Sequence, residues 1–141
     1  MAMVVIVGDT PAAAVCAIYL KTANIETVLL RSKSGYEYTC TAVACVDDLD
    51  NFTSNTFKQV EYLGVPVMEE TVASITKKDD HFLIKTGETE HVATVVVSET
   101  DLFGLSGTAN YHVILGGEKK SEAILLAAEG CKTAFRIKES L

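Results

Sequence analysis

The stretch Val4-Val5-Ile6-Val7-Gly8-Asp9-Thr10-Pro11-Ala12-Ala13-Ala14 decides the fold. Four consecutive aliphatic residues running into glycine and then into small residues predict a strand buried on both faces, a tight turn, and a helix packed closely on a sheet. Pro11 suits the first helical position and Thr10 the N-cap. The stretch reads as the opening strand, turn and helix of a dinucleotide-binding α/β domain, in which backbone N–H groups at the helix start face a pyrophosphate. Such a turn asks for glycine at three places. Gly8 fills the first, Thr10 and Ala13 stand at the other two, and Asp9 brings a carboxylate beside the pyrophosphate position.

Outward from this turn, the helix runs to about Ala23 with Ala14, Ala17 and Ile18 facing the sheet, and Asn24 closes it. Thr27 to Leu30 is a second buried strand, completing a β-α-β unit of about thirty residues. Arg31 ends that strand, where dinucleotide binders place Asp or Glu to accept hydrogen bonds from ribose hydroxyls; arginine has no acceptor. Residues 32 to 46 read as loop. A helix follows from about Thr53 to Leu63, with Phe57, Val60 and Leu63 on one side and Gly64 at its end. Val65–Val67, Val72–Ile75, Phe82–Lys85 and Val92–Val97 read as strands, with an antiparallel β-meander among them and Val95-Val96-Val97 continuous enough to be another central parallel strand. After the loop Ser98–His112 come a short strand, Val113 to Leu115, and a last helix from about Ser121 to Leu141, expected to bury Ile124, Ala128, Cys131 and Phe135. The expected fold class is α/β, a Rossmann-like three-layer domain with a central parallel sheet and an additional antiparallel β-meander, forming one unit over residues 1–141.

Composition excludes several function classes. The net charge of −7 disfavours nucleic acid, because phosphate binding needs clustered Lys and Arg, and Lys77-Lys78 and Lys119-Lys120 are short pairs. No apolar run reaches the about twenty residues of a membrane helix. Met1-Ala2-Met3 enters the first strand without a charged leader, so the expectation is a cytoplasmic protein with no membrane partner. Cys16, Cys40, Cys45 and Cys131 contain no C-x-x-C pair, which argues against structural zinc. His81, His91 and His112 are far apart and read as surface or strand residues. Asp47, Asp48 and Asp50 lack the glycine-containing spacing of a calcium loop and read as a solvated helix entry. No metal site is expected.

Three blocks together resemble the flavin domain of the low-molecular-weight thioredoxin reductases. Val4-Val5-Ile6-Val7-Gly8 with Pro11-Ala12 and Ala17-Ile18-Tyr19 is similar to the family's V-I-G-x-G-P-A-G and A-A-I-Y. Asn51-Phe52, then Leu63-Gly64 and Glu70-Thr71-Val72, resembles its E-N-F block and the segment after it. Gly117-Glu118, Ala123-Ile124 and Ala127-Ala128-Glu129-Gly130-Cys131 resembles its terminal A-G-D, R-Q-A-I and A-A-G-x-G-C. The blocks span nearly the whole chain in order. The resemblance implies an FAD site, an NADPH-binding domain carrying a redox C-x-x-C between the strands near Val97 and Val113, and dimerisation through the flavin domain, with the first and last helices as candidate surfaces for a homodimer.

The chain departs from that pattern where the family binds its cofactor. Ser98-Glu99-Thr100 stands for A-T-G, Cys40-Thr41-Ala42-Val43 for G-G-Q-L, and Ser121-Glu122 for R-Q, while Glu118 keeps the family's Asp carboxylate one carbon farther out. The interval at 98–112 is too short for the NADPH domain. Gly8, Asp9, Thr10, Ala13, Arg31 and Glu118 therefore read as a degenerate cofactor site with no FAD expected; FAD is the alternative. Asp9 either repels a phosphate or points to water or caps the helix, and the turn reads as having replaced an external phosphate with the Asp9 carboxylate and the Thr10 hydroxyl. The expected function is a non-catalytic, thioredoxin-reductase-like protein acting through protein–protein contacts. The alternative is a disulfide oxidoreductase, as a split enzyme or through Cys40 and Cys45, whose four-residue separation resembles the C-x-x-x-x-C of glutathione-reductase-type flavoenzymes.

Overall fold

Val4, Val5, Ile6 and Val7 are all buried, as a strand covered on both faces requires. They lie in β1 (Ala2–Val7), followed by α1 (Pro11–Thr22) and β2 (Thr27–Leu30). The computed structural model describes residues 2–39, 49–116 and 122–141. Within these the chain continues through α2 (Leu49–Tyr62), β3 (Val67–Met68), β4 (Val72–Lys77), β5 (Phe82–Thr86), β6 (Glu90–Ser98), β7 (Tyr111–Val113) and α3 (Ala123–Ser140).

One mixed sheet runs in the order β3-β2-β1-β6-β5-β4, with β7 also on β6. β6 serves two neighbours along its length: Glu90–Ala93 pair antiparallel with β5, and Val96–Ser98 pair parallel with β7. Its partner on the other side is β1, in a register that sets Val7 opposite Ser98. Alternation along these strands divides the core in two. Val4, Ile6, Leu29, Val95 and Val97 face the helices, meeting Leu20, Phe57, Val60, Leu126 and Ile137. Val5, Val7 and Val96 face the meander, meeting Val72, Ile75, Phe82, Ile84 and Tyr111. Each such side chain contributes about 1.5–3 kcal/mol by leaving water. The result is an α/β Rossmann-like, FAD/NAD(P)-binding-type layered fold, as the sequence predicts.

Thr10 caps α1, its hydroxyl oxygen accepting from Ala12 N at 3.1 Å, and Asn24 follows the helix in the left-handed region at φ 61°. Three details differ from expectation. α2 begins one turn earlier than Thr53. The strand expected at Val113 to Leu115 is Tyr111–Val113, with Ile114 N and Leu115 N still donating to the carbonyls of Ser98 and Glu99 at 2.9 and 3.1 Å. The face of α3 is also corrected: Leu126, Gly130, Ala134 and Ile137 are buried, whereas Ile124 and Phe135 are each 48% exposed. The reason is close helix packing. Gly130 sits against the Ala12 backbone so tightly that a Cβ would overlap the Ala12 carbonyl oxygen. Gly130 thus sets the contact face, and Leu126 and Ile137 are buried with it.

Candidate functional site

β1 and β6 are adjacent parallel strands, and both end beside the N-terminus of α1. The pairing of Val7 with Ser98 puts the residue that follows β6, Glu99, alongside Gly8. Glu99 N donates to the Val7 carbonyl at 3.1 Å, and the side chain turns inward with no exposed surface. Its carboxylate is seated on the start of α1. Oε1 accepts from Asp9 N at 2.9 Å; Oε2 accepts from Thr10 N at 2.9 Å, from Ala13 N at 3.1 Å, and from the Thr10 hydroxyl.

Thr10 N and Ala13 N are among the groups a helix leaves unsatisfied at its first turn, Asp9 N lies just before it, and the helix dipole adds positive potential there. They would hold an external anion equally well. A Cβ on Gly8 would overlap the Glu99 side chain at Cγ, Cδ and Oε1, so glycine is required here to admit Glu99. Burial pushes the Glu99 carboxyl up to about 7, against the opposing pull of its hydrogen bonds from Thr10, Asp9 and Ala13.

The site residues expected from the sequence are placed as follows. Asp9, Thr10 and Ala13 converge on Glu99 through their backbone N–H groups, and Thr10 through its hydroxyl as well, while Gly8 packs against the Glu99 side chain and donates its N–H to Leu30 O. The Asp9 carboxylate does not take the phosphate position expected of it. It accepts from Ser34 N at 3.3 Å and Ser34 Oγ at 3.1 Å, tying the α1 turn to the segment after β2. The carboxylate that accepts from the turn is that of Glu99, which arrives from the end of the neighbouring strand. Arg31 lies outside this cluster, its guanidinium 4.1 Å from the centroid of the Phe57 ring and 3.8 Å from Glu69 Oε1. It lines a cleft of about 480 Å³ with Asp9, Lys33, Glu69, Glu70 and Thr71.

Glu118, Cys40 and Cys45 lie outside the described residues. Of the other cysteines, Cys16 is fully buried and its thiol is pushed up by that burial, which suits packing rather than reactivity. His81 pairs with Asp80 at 2.7 Å and His91 with Glu70 at 3.1 Å; His112 is driven below the usual histidine range by burial and by Arg136. Among the described residues no group of His, Cys, Asp and Glu could hold a metal ion. No helix among them is long and apolar enough to cross a membrane.

A pyrophosphate fits this turn poorly. Its donors are already engaged by a buried carboxylate, and the space between Gly8 and α1 is filled by the Glu99 side chain. Sequence reading marks Glu99 only as a change in the triplet after the central strand. The signal for its role is a carboxylate directly after β6, two residues past the apolar run Val95–Val97, beside a turn with Thr10 and Ala13 where a dinucleotide fingerprint has glycine.

No protein-family model and no curated protein sequence matches the chain. Solved structures do share its layered fold. A thioredoxin reductase from Streptococcus pyogenes superposes with TM-score 0.60 at 16% identity, over 70% of this chain and 34% of that one. The Lactococcus lactis thioredoxin reductase gives 0.61 at 20% identity over 70% and 35%, and a putative thioredoxin reductase from Bacillus anthracis 0.60 at 21% over 70% and 36%. The chain spans about a third of the length of these proteins. At such identities the likeness is one of fold.

Proposed function

We propose that this chain is a non-catalytic, thioredoxin-reductase-like domain that does without FAD and acts by binding protein, a second copy of itself first. The observation that carries the reading is the Glu99 carboxylate seated on the α1 donors. A phosphate about 4 Å from an ionised Glu99 would meet a repulsion of about 4 kcal/mol at an effective dielectric near 20, roughly three decades in affinity. Arg31, engaged with Phe57 and Glu69, offers no acceptor for a ribose. Between β6 and β7 there are only residues 99–110, where the reductases it resembles insert their NADPH-binding domain. The sequence has no C-x-x-C to oxidise.

For protein binding, the supporting feature is the outer side of α1 and α3. Tyr19 and Phe135 stack there at 5.7 Å, each close to half exposed, with Ile124 and Leu125 farther along α3. Apolar residues on a helix already packed on its other side are suited to a partner.

Purified protein is expected to be colourless, with no flavin absorption, and to run as a dimer in light scattering that Phe135→Glu converts to monomer. Stoichiometric bound flavin overturns the cofactor-free reading. A wild-type chain that stays monomeric at every concentration overturns self-association.

A further inference from the structure

We infer that the N-terminus of α1 is a small-carboxylate site whose ligand is the chain's own Glu99, and that this tethered ligand, rather than any collapse of the turn, keeps external anions out. The inference deepens the cofactor-free reading and rests on it.

Three observations carry it. First, the donor set is complete: Asp9 N and Thr10 N at 2.9 Å, Ala13 N at 3.1 Å and the Thr10 hydroxyl all aim at one carboxylate. Charge-assisted bonds of this kind are the strong ones, and a helix N-terminus with three free N–H groups is an anion receptor whether or not the anion is tethered. Second, the donors are held in place by contacts that do not involve Glu99. Thr10 caps α1 through Ala12 N at 3.1 Å, Gly8 N donates to Leu30 O at 3.1 Å, and Asp9 is anchored to Ser34. The turn therefore has reason to keep its shape when Glu99 is truncated. Third, the space is defined. The Glu99 side chain is fully buried, and it fills the room that Gly8 leaves by having no Cβ.

The size of the ligand follows from covalent structure. Replacing glutamate by alanine removes Cγ and the carboxylate, which is the heavy-atom framework of acetate. The vacated site matches acetate in shape, charge and hydrogen bonding. Propionate is one methylene too long for it, and chloride lacks a second acceptor atom for the Asp9 and Ala13 donors.

The test is thermal unfolding of wild type, Glu99→Ala and Glu99→Gln in acetate, propionate, phosphate or chloride at equal ionic strength and at a pH near 8. Acetate at about ten times its dissociation constant is expected to raise the midpoint of Glu99→Ala by about 4 °C over chloride. Wild type and Glu99→Gln, whose side chains still fill the space, are expected to move by less than about 1 °C. Propionate is expected to do less than acetate. If Glu99→Ala is unfolded in chloride, acetate must restore its far-ultraviolet circular dichroism in a saturable way. Failure to fold in any anion, or an equal response of all three proteins, overturns the inference. A Glu99→Ala protein that answers to phosphate better than to acetate overturns the carboxylate assignment. Because flavin content is read on wild type, a flavin-free wild type with an unresponsive Glu99→Ala leaves the cofactor-free reading standing and removes only this one.

Discussion

Glu99 makes stability depend on pH in a direction opposite to that of ordinary surface carboxylates. Its folded-state pKa lies near 7, raised by burial from an ordinary value of 4.5. Between those values the folded chain keeps a proton that the unfolded chain has released, so stability falls as pH rises. Each unit is worth about 1.4 kcal/mol, so the window contributes about 3 kcal/mol that is present below pH 4.5 and lost above pH 7. Urea unfolding at intervals from about pH 4.5 to 8, on wild type and Glu99→Gln, isolates this contribution, since glutamine does not titrate. Other groups move with pH: Glu70 and Asp80 are held below the usual carboxylate range by Thr89 and His91 and by His81 respectively, and burial lowers His112. They are common to both proteins and cancel in the difference. Wild type is expected to lose stability relative to Glu99→Gln as pH climbs through this window. A flat difference would show that the donors of α1 offset burial, wild type gaining with pH that they outweigh it, and in either case the reasoning would fail.

Other outcomes follow from the packing around the same turn. Gly8→Ala is expected to cost about 2–3 kcal/mol in wild type, by forcing Glu99 off its donors, but under about 1 kcal/mol in a Glu99→Ala background, where the added methyl enters vacated space; additive costs in a double-mutant cycle would refute the contact. Gly130→Ala pits a helix-propensity gain of about 1 kcal/mol against overlap with the Ala12 carbonyl, a backbone atom that cannot rotate away, and a net loss of about 2 kcal/mol is expected by denaturant unfolding. FAD, NADPH and AMP at millimolar concentration are expected to leave the wild-type melting temperature unchanged, and a rise of about 3 °C or more with any of them would contradict the cofactor-free reading.

Much of this protein was legible in the residues. Val4 to Val7 and Val95 to Val97 announce strands buried on both sides, and period-two alternation at Phe82 and Ile84 announces the meander, because local pattern reports burial directly. Pro11 and Thr10 mark the start of α1 through capping chemistry that is local in sequence. The differences from a dinucleotide fingerprint at Thr10, Ala13 and Arg31 were visible as well, since that comparison is local in sequence. The contact face of α3 was not legible: both sides of that helix are apolar, and the choice between Phe135 and Gly130 rests on how near α1 comes. Nor was the occupant of the turn. Asp9 is adjacent to the donors in sequence, yet its side chain leaves toward Ser34, while Glu99, 89 residues beyond Thr10, accepts their hydrogen bonds. Sequence by itself determined a layered α/β scaffold of the FAD/NAD(P)-binding type, with Thr10 and Ala13 in its first turn where a dinucleotide fingerprint has glycine. Only the tertiary structure decided what fills that turn, because the answer depends on the register of two parallel strands, which sets Ser98 beside Val7 and thereby brings a distant carboxylate to the start of the helix.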